Sequence, residues 1–104
     1  MSSTSSSQSI DFTAAEAIVR RVLDKMSVEW SRDDLGELPL DHDLFAEIDS
    51  FAVVELLLQT ESEVENVIGR YIPLADESVL DADKSPLREM RHWIAYVAEA
   101  MARG

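Results

Sequence analysis

Apolar residues return every three to four positions in three long stretches of this chain, and nowhere do they alternate. Ala15, Ile18, Val19, Val22, Leu23 and Met26 recur at i, i+3, i+4 and i+7 spacing, with Arg20, Arg21, Asp24 and Lys25 on the other side. The same period runs through Val53, Val54, Leu57, Leu58, Val64, Val67 and Ile68, and again through Leu87, Met90, Ile94, Val97, Ala98 and Met101. A 3.6-residue period gathers such side chains on one face of a helix, whereas a half-buried strand needs a period of two. The pattern predicts an all-α bundle, and 104 residues are enough for one such domain and too few for two.

Helix boundaries follow from local chemistry. Thr13-Ala-Ala-Glu16 has the form of a capping box, so the first helix is expected over 13–28. Asp49 is a favoured N-cap and Gly69 a plausible stop, which brackets a second helix over 50–68. Ser85-Pro86 places a capping serine before a proline at the first helical position of a last helix that runs to the end. Residues 74–83, LADESVLDAD, have length for one or two helical turns. Between the first two helices, residues 31–48 mix Gly36, Pro39 and several aspartates with isolated Leu35, Leu38, Leu40, Leu44 and Phe45. That reads as a long loop pinned to the core by its apolar side chains, and loops of this length in small domains tend to serve function. Trp30, Trp93, Tyr71 and Tyr96 read as packing residues, with Trp93 open to partial exposure.

The opening MSSTSSSQS reads as part of a disordered Ser-rich tail over 1–10, which leaves 11–104 as the folded domain. It lacks the positive and apolar regions of a secretory signal, and no apolar run is long enough to span a bilayer. A cytoplasmic protein with no membrane span is the expectation.

Asp and Glu number 21 against 9 Lys and Arg, for a formal charge of −12. Such a chain repels nucleic acid and anionic lipid, and its natural complement is a basic protein surface. From Asp33 to Gly69 there is no Lys or Arg, while acids stand at 33, 34, 37, 41, 43, 47, 49, 55, 61, 63 and 65. A run of acids is usually a solvated face, but one-sided charge also speeds encounter with basic partners while adding little lasting affinity. The absence of cysteine rules out disulfides and thiolate metal sites. His42 and His92 have no spacing that identifies a triad or a metal site, and Ser50 has no G-x-S-x-G elbow. Asp81, Asp83 and Ser85 echo a calcium loop, but Pro86 stands where glycine is required and His92 where a bidentate glutamate is required. Neither catalysis nor a metal is expected.

Ser50 is the sharpest single feature. A hydroxyl at the first position of a helix is accessible, and the free amides and positive dipole end beside it favour a phosphate ester; serine is also common at helix starts for capping reasons alone. The surrounding segment, Asp49-Ser50-Phe51-Ala-Val-Val54-Glu55-Leu56, resembles the D-S-[LM]-x-x-V-E-L motif of the acyl carrier protein family. Glu61 and Glu63 stand where that family has a glutamate cluster, and Ile72-Pro73 with Asp76-Glu77 is similar to its I-P-D-E segment.

The resemblance, which covers about residues 12–100, implies a four-helix bundle of three long helices and one short, with a long first loop. It implies that Ser50 carries 4'-phosphopantetheine, taken from coenzyme A by a phosphopantetheinyl transferase whose Mg²⁺ site Asp49 would join. Acyl groups would then travel as thioesters on that arm between acyl-activating or synthase enzymes with basic docking surfaces. The protein would be a monomer doing no bond chemistry itself. Phe51, Val54, Glu55, Glu61 and Glu63 are the expected partner contacts, with Glu55 and Glu61 meeting the transferase. This chain departs from the family at Glu47, where glycine is usual, at Phe51, and in a longer segment from Val64 to Ile72. The alternative from another class is an acidic helical interaction or scaffold module that has a carrier-like fold and is never modified.

Overall fold

The computed structural model of the chain describes residues 3–31, 35–81 and 83–103. Among them there is no strand. Three long helices make the framework: α1 over Ser3–Glu29, α2 over Ser50–Ile68 and α4 over Met90–Arg103, with the single turn α3 at Glu77–Leu80. Short 3-10 turns occur at Leu35–Glu37, Leu44–Ala46 and Pro86–Arg88. At 1.5 Å per residue α1 alone is about 40 Å long, which accounts for the long axis of a molecule measuring 43 × 27 × 26 Å.

All six apolar residues read from the first stripe, Ala15 to Met26, are buried in the core. The helix starts earlier than the capping box predicts. Its backbone is helical from Ser3, so Thr13 lies inside α1. A capping box satisfies amides only where the chain leaves the helix before it; no Gly or Pro stands between Ser3 and Thr13 to force that departure, and Phe12 already packs against the core.

α1 packs directly on both other long helices, and the loop after it folds back along its side. Arg20, expected on the polar side of α1, clamps that loop: its guanidinium donates to the carbonyls of Gly36 at 3.1 Å and Leu38 at 2.9 Å while pairing with Glu16. Gly36 is needed for this approach, because a Cβ there would meet the Asp24 side chain and come within 3.2 Å of the Arg20 carbonyl. Leu35, Leu38 and Leu44 are buried as the pinning argument requires, whereas Leu40 is exposed.

α2 begins and ends where its chemistry indicates. The Asp49 carboxylate accepts from the amide of Ala52 at 2.9 Å, and Gly69 leaves the helix at φ 82°, a left-handed conformation that a Cβ would strain. The last helix is not continuous from Ser85. Ser85 does cap a first turn, accepting from Leu87 at 3.0 Å, but Glu89 is extended (φ −144°, ψ 131°) and α4 restarts at Met90. The first amides of α4 find their acceptors in the long loop: Met90 donates to the His42 carbonyl at 2.8 Å and Arg91 to that of Leu40 at 2.7 Å. Trp93 is fully buried rather than partly exposed, and stacks on Tyr96 with ring centroids 5.6 Å apart.

Candidate functional site

The buried stripe of α2 differs from the one its apolar residues suggest. Val53, Leu56, Leu57, Thr60, Glu61 and Val64 face inward, at helical spacing, so two polar side chains sit in the middle of the core-facing surface. Thr60 is accommodated by donating its hydroxyl to the Leu56 carbonyl at 2.6 Å. The apolar residues displaced from the core form a second stripe at i, i+3 and i+7: Phe51 is 89% exposed, Val54 49% and Leu58 59%. Val67, also read as core, is exposed. Phe51, Val54 and Leu58 lie along one line of a helix otherwise rich in acids, and Phe51 also lines the cleft at the helix start.

Ser50 is the first residue of α2, immediately after the Asp49 cap; its side chain lies outside the described residues. Beside it is a cleft of about 380 Å³ lined by Trp30, Glu47, Ile48, Asp49, Phe51 and Glu55. Three elements build it. The end of α1 supplies Trp30, which is half-buried and leans on the core. The loop supplies Glu47, held by His42 Nε2 at 2.7 Å. The first turns of α2 supply the rest, with Glu55 accepting from the Gln59 amide at 3.0 Å. Glu29, on the last turn of α1, shares a hydrogen bond with Glu55; that bond first, then the repulsion between the two carboxylates and slight burial, hold Glu29 above the ordinary carboxylate range. The cleft thus concentrates negative charge beside the helix start.

The expected partner residues separate into two groups. Phe51, Val54 and the half-buried Glu55 lie on the first turns of α2, near the cleft. Glu61 and Glu63 do not belong with them. Glu61 is only 4% exposed, and its carboxylate accepts from the backbone amides of Leu74 at 2.6 Å and Ala75 at 3.1 Å and from the Tyr71 hydroxyl at 2.9 Å. The bond to Glu61, reinforced by burial and by the charges of Glu61 and Glu65, raises the Tyr71 hydroxyl above its usual range. Glu63 is turned toward α1, where Lys25 at 2.6 Å and Arg21 at 3.5 Å pair with it. Glu61 is thus engaged inside the molecule and Glu63 is paired with α1, whereas the resemblance implied partner contacts for both and a transferase contact for Glu61.

Sequence reasoning missed Trp30, Glu29 and the His42–Glu47 pair as parts of this site. Their positions depend on how the end of α1 and the loop meet α2, and only the helical phase of Val28-Glu29-Trp30 hinted at it. Among the described residues no group of three or more His, Cys, Asp or Glu side chains is arranged to hold a metal ion, and no helix is long and apolar enough to cross a membrane. Comparison with family models, curated proteins and solved structures gives no match to this chain.

Proposed function

We propose that this protein is a carrier modified on Ser50 with 4'-phosphopantetheine, shuttling acyl groups as thioesters between partner enzymes, and that its helices form the four-helix carrier fold. One observation carries the reading: the D-S-F-x-x-V-E-L segment coincides with a capped helix start at the end of the long loop, beside an exposed Phe51 and an acidic cleft. In the modification, a transferase directs the Ser50 oxygen onto the β-phosphorus of coenzyme A. The pyrophosphate P–O bond breaks, 3',5'-ADP leaves, the serine proton passes to the transferase, and a phosphodiester remains. Asp49 has a structural duty as the N-cap and keeps a second carboxylate oxygen for the transferase's Mg²⁺. The partner surface is Phe51, Val54 and Glu55, with Leu58 extending the stripe, and basic partners would be drawn by the unbalanced charge around it. Glu61 and Glu63 have no part in it.

The test is the intact mass after incubation with coenzyme A and a broad-specificity phosphopantetheinyl transferase. A gain of one phosphopantetheine that disappears in Ser50→Ala supports the reading. An unchanged mass rejects it in favour of the unmodified acidic interaction module, for which the same exposed stripe would be the binding face.

A further inference from the structure

Asp49 and Phe51, the residues on either side of Ser50, both line the cleft at the start of α2, so a group carried by Ser50 is attached between two residues of the lining. That lining has a definite composition. Ile48 and Ala52 are buried and make an apolar floor, Trp30 and Phe51 are aromatic, and Glu47, Asp49 and Glu55 supply carboxylates. No Lys, Arg or side-chain amide is among the lining residues. Such a surface repels a negative group and suits an uncharged one that brings apolar surface and hydrogens to donate. A carboxylate offers about four acceptor positions, of which the Ala52 amide takes one at Asp49 and the Gln59 amide one at Glu55.

Trp30 owes its place to the way α1 ends. Its amide still donates to the Met26 carbonyl at 2.9 Å, and Ser31 then takes a left-handed φ of 58°, a conformation that disfavours any residue with a Cβ. The chain turns away directly after Trp30, which is left half-buried at the helix end, between the core and the cleft. At about 380 Å³ the cleft is near the lower limit of those that hold small molecules, about 300–1,000 Å³. A tethered ligand needs less than a free one, because a short flexible tether keeps it at a millimolar effective concentration.

We propose that this cleft is a seat for the uncharged part of the arm on Ser50, with Trp30 as its wall and positioning residue. Trp30, Phe51, Ile48 and Ala52 take the arm's methyl groups, and the carboxylates accept from its hydroxyl and amide groups. The phosphodiester that joins the arm to Ser50 is negative and stays outside the acid-lined cleft, so the seat begins beyond it. A basic side chain of a partner also suits the lining, but it has to be bound from solution, whereas the arm is already in place. The inference rests on modification of Ser50 as proposed above.

The chain carries its own probe and control, since Trp30 lines the cleft and Trp93 is fully buried in the core. The full chain is loaded with phosphopantetheine from coenzyme A, the intact mass confirms the loading, and the indole N–H signals of both tryptophans are followed by NMR. Loading should shift Trp30 and leave Trp93 in place, and cross-peaks should join the arm's methyl groups to the rings of Trp30 and Phe51. Trp30→Leu should abolish the cross-peaks to Phe51. Glu55→Gln, which keeps the shape and removes the charge, should at least halve those to Trp30 and serves if Trp30→Leu does not fold. A raised mass with Trp30 unmoved, or with no cross-peak to either ring, rejects the seat and leaves the carrier reading standing. So does a loaded protein in which only an added arginine-rich peptide moves Trp30, which makes the cleft a partner's docking point. An unchanged mass rejects both readings together.

Discussion

The two halves of α2 use the same residue types for opposite ends. In the amino-terminal half, Phe51, Val54 and Leu58 are apolar and face solvent, and Glu55 borders an open cleft. In the carboxy-terminal half, Glu61 is buried on three hydrogen bonds and Glu63 is spent on two basic residues of α1. One half leaves apolar groups outside and the other draws a charge inside. A carboxylate is stable in an interior where donors converge on it, and an apolar side chain tolerates solvent where something outside is to cover it. Helix position and neighbours, more than residue type, decide which acid is drawn into the interior and which stays at the rim of a cleft.

The contrast is breakable by substitution. Glu61→Ala should have the largest effect, lowering unfolding stability by about 3 kcal/mol, because it strands the buried Leu74 amide as well as losing three bonds; chemical denaturation measures it, and a loss comparable to that of a surface mutation would mean that the carboxylate is not holding the segment. Asp49→Ala removes one cap bond and should cost about 1 kcal/mol in the same measurement. Glu29→Gln should act through pH. Because Glu29 holds its proton more tightly when folded, the stability it contributes is full below the ordinary carboxylate pKa and is lost as pH rises through the raised value. The glutamine variant should flatten that part of a melting-temperature profile between acidic and neutral pH, and an unchanged profile would deny the Glu29–Glu55 contact. Phe51→Ser should be the smallest, within about 0.5 kcal/mol of the parent; a larger loss would mean that Phe51 packs against the bundle and is no docking residue.

How much of this was readable beforehand depends on the reach of the forces involved. The core face of α1, the Asp49 cap, the Gly69 stop and the single turn at Glu77–Leu80 are decided by residues a few positions apart, and local patterns revealed them. The inward face of α2 was misplaced because Thr60 and Glu61 occupy core positions, and their partners include residues ten or more positions away on a segment with no periodicity of its own. The break at Glu89 was hidden for the same reason, since the acceptors for Met90 and Arg91 come from the loop. At the site, Asp49, Phe51 and Glu55 were legible from one contiguous segment, whereas Trp30 and Glu47 join them only through tertiary packing.

The bonds from Met90 and Arg91 to the carbonyls of His42 and Leu40 join points separated by half the chain. The loop that leads to α2 is thus held at both ends of its course, by Arg20 of α1 near its beginning and by the start of α4 further on. A substitution that loosens the start of α4 would therefore reach the lead-in to α2 through these two bonds, without touching α2 itself.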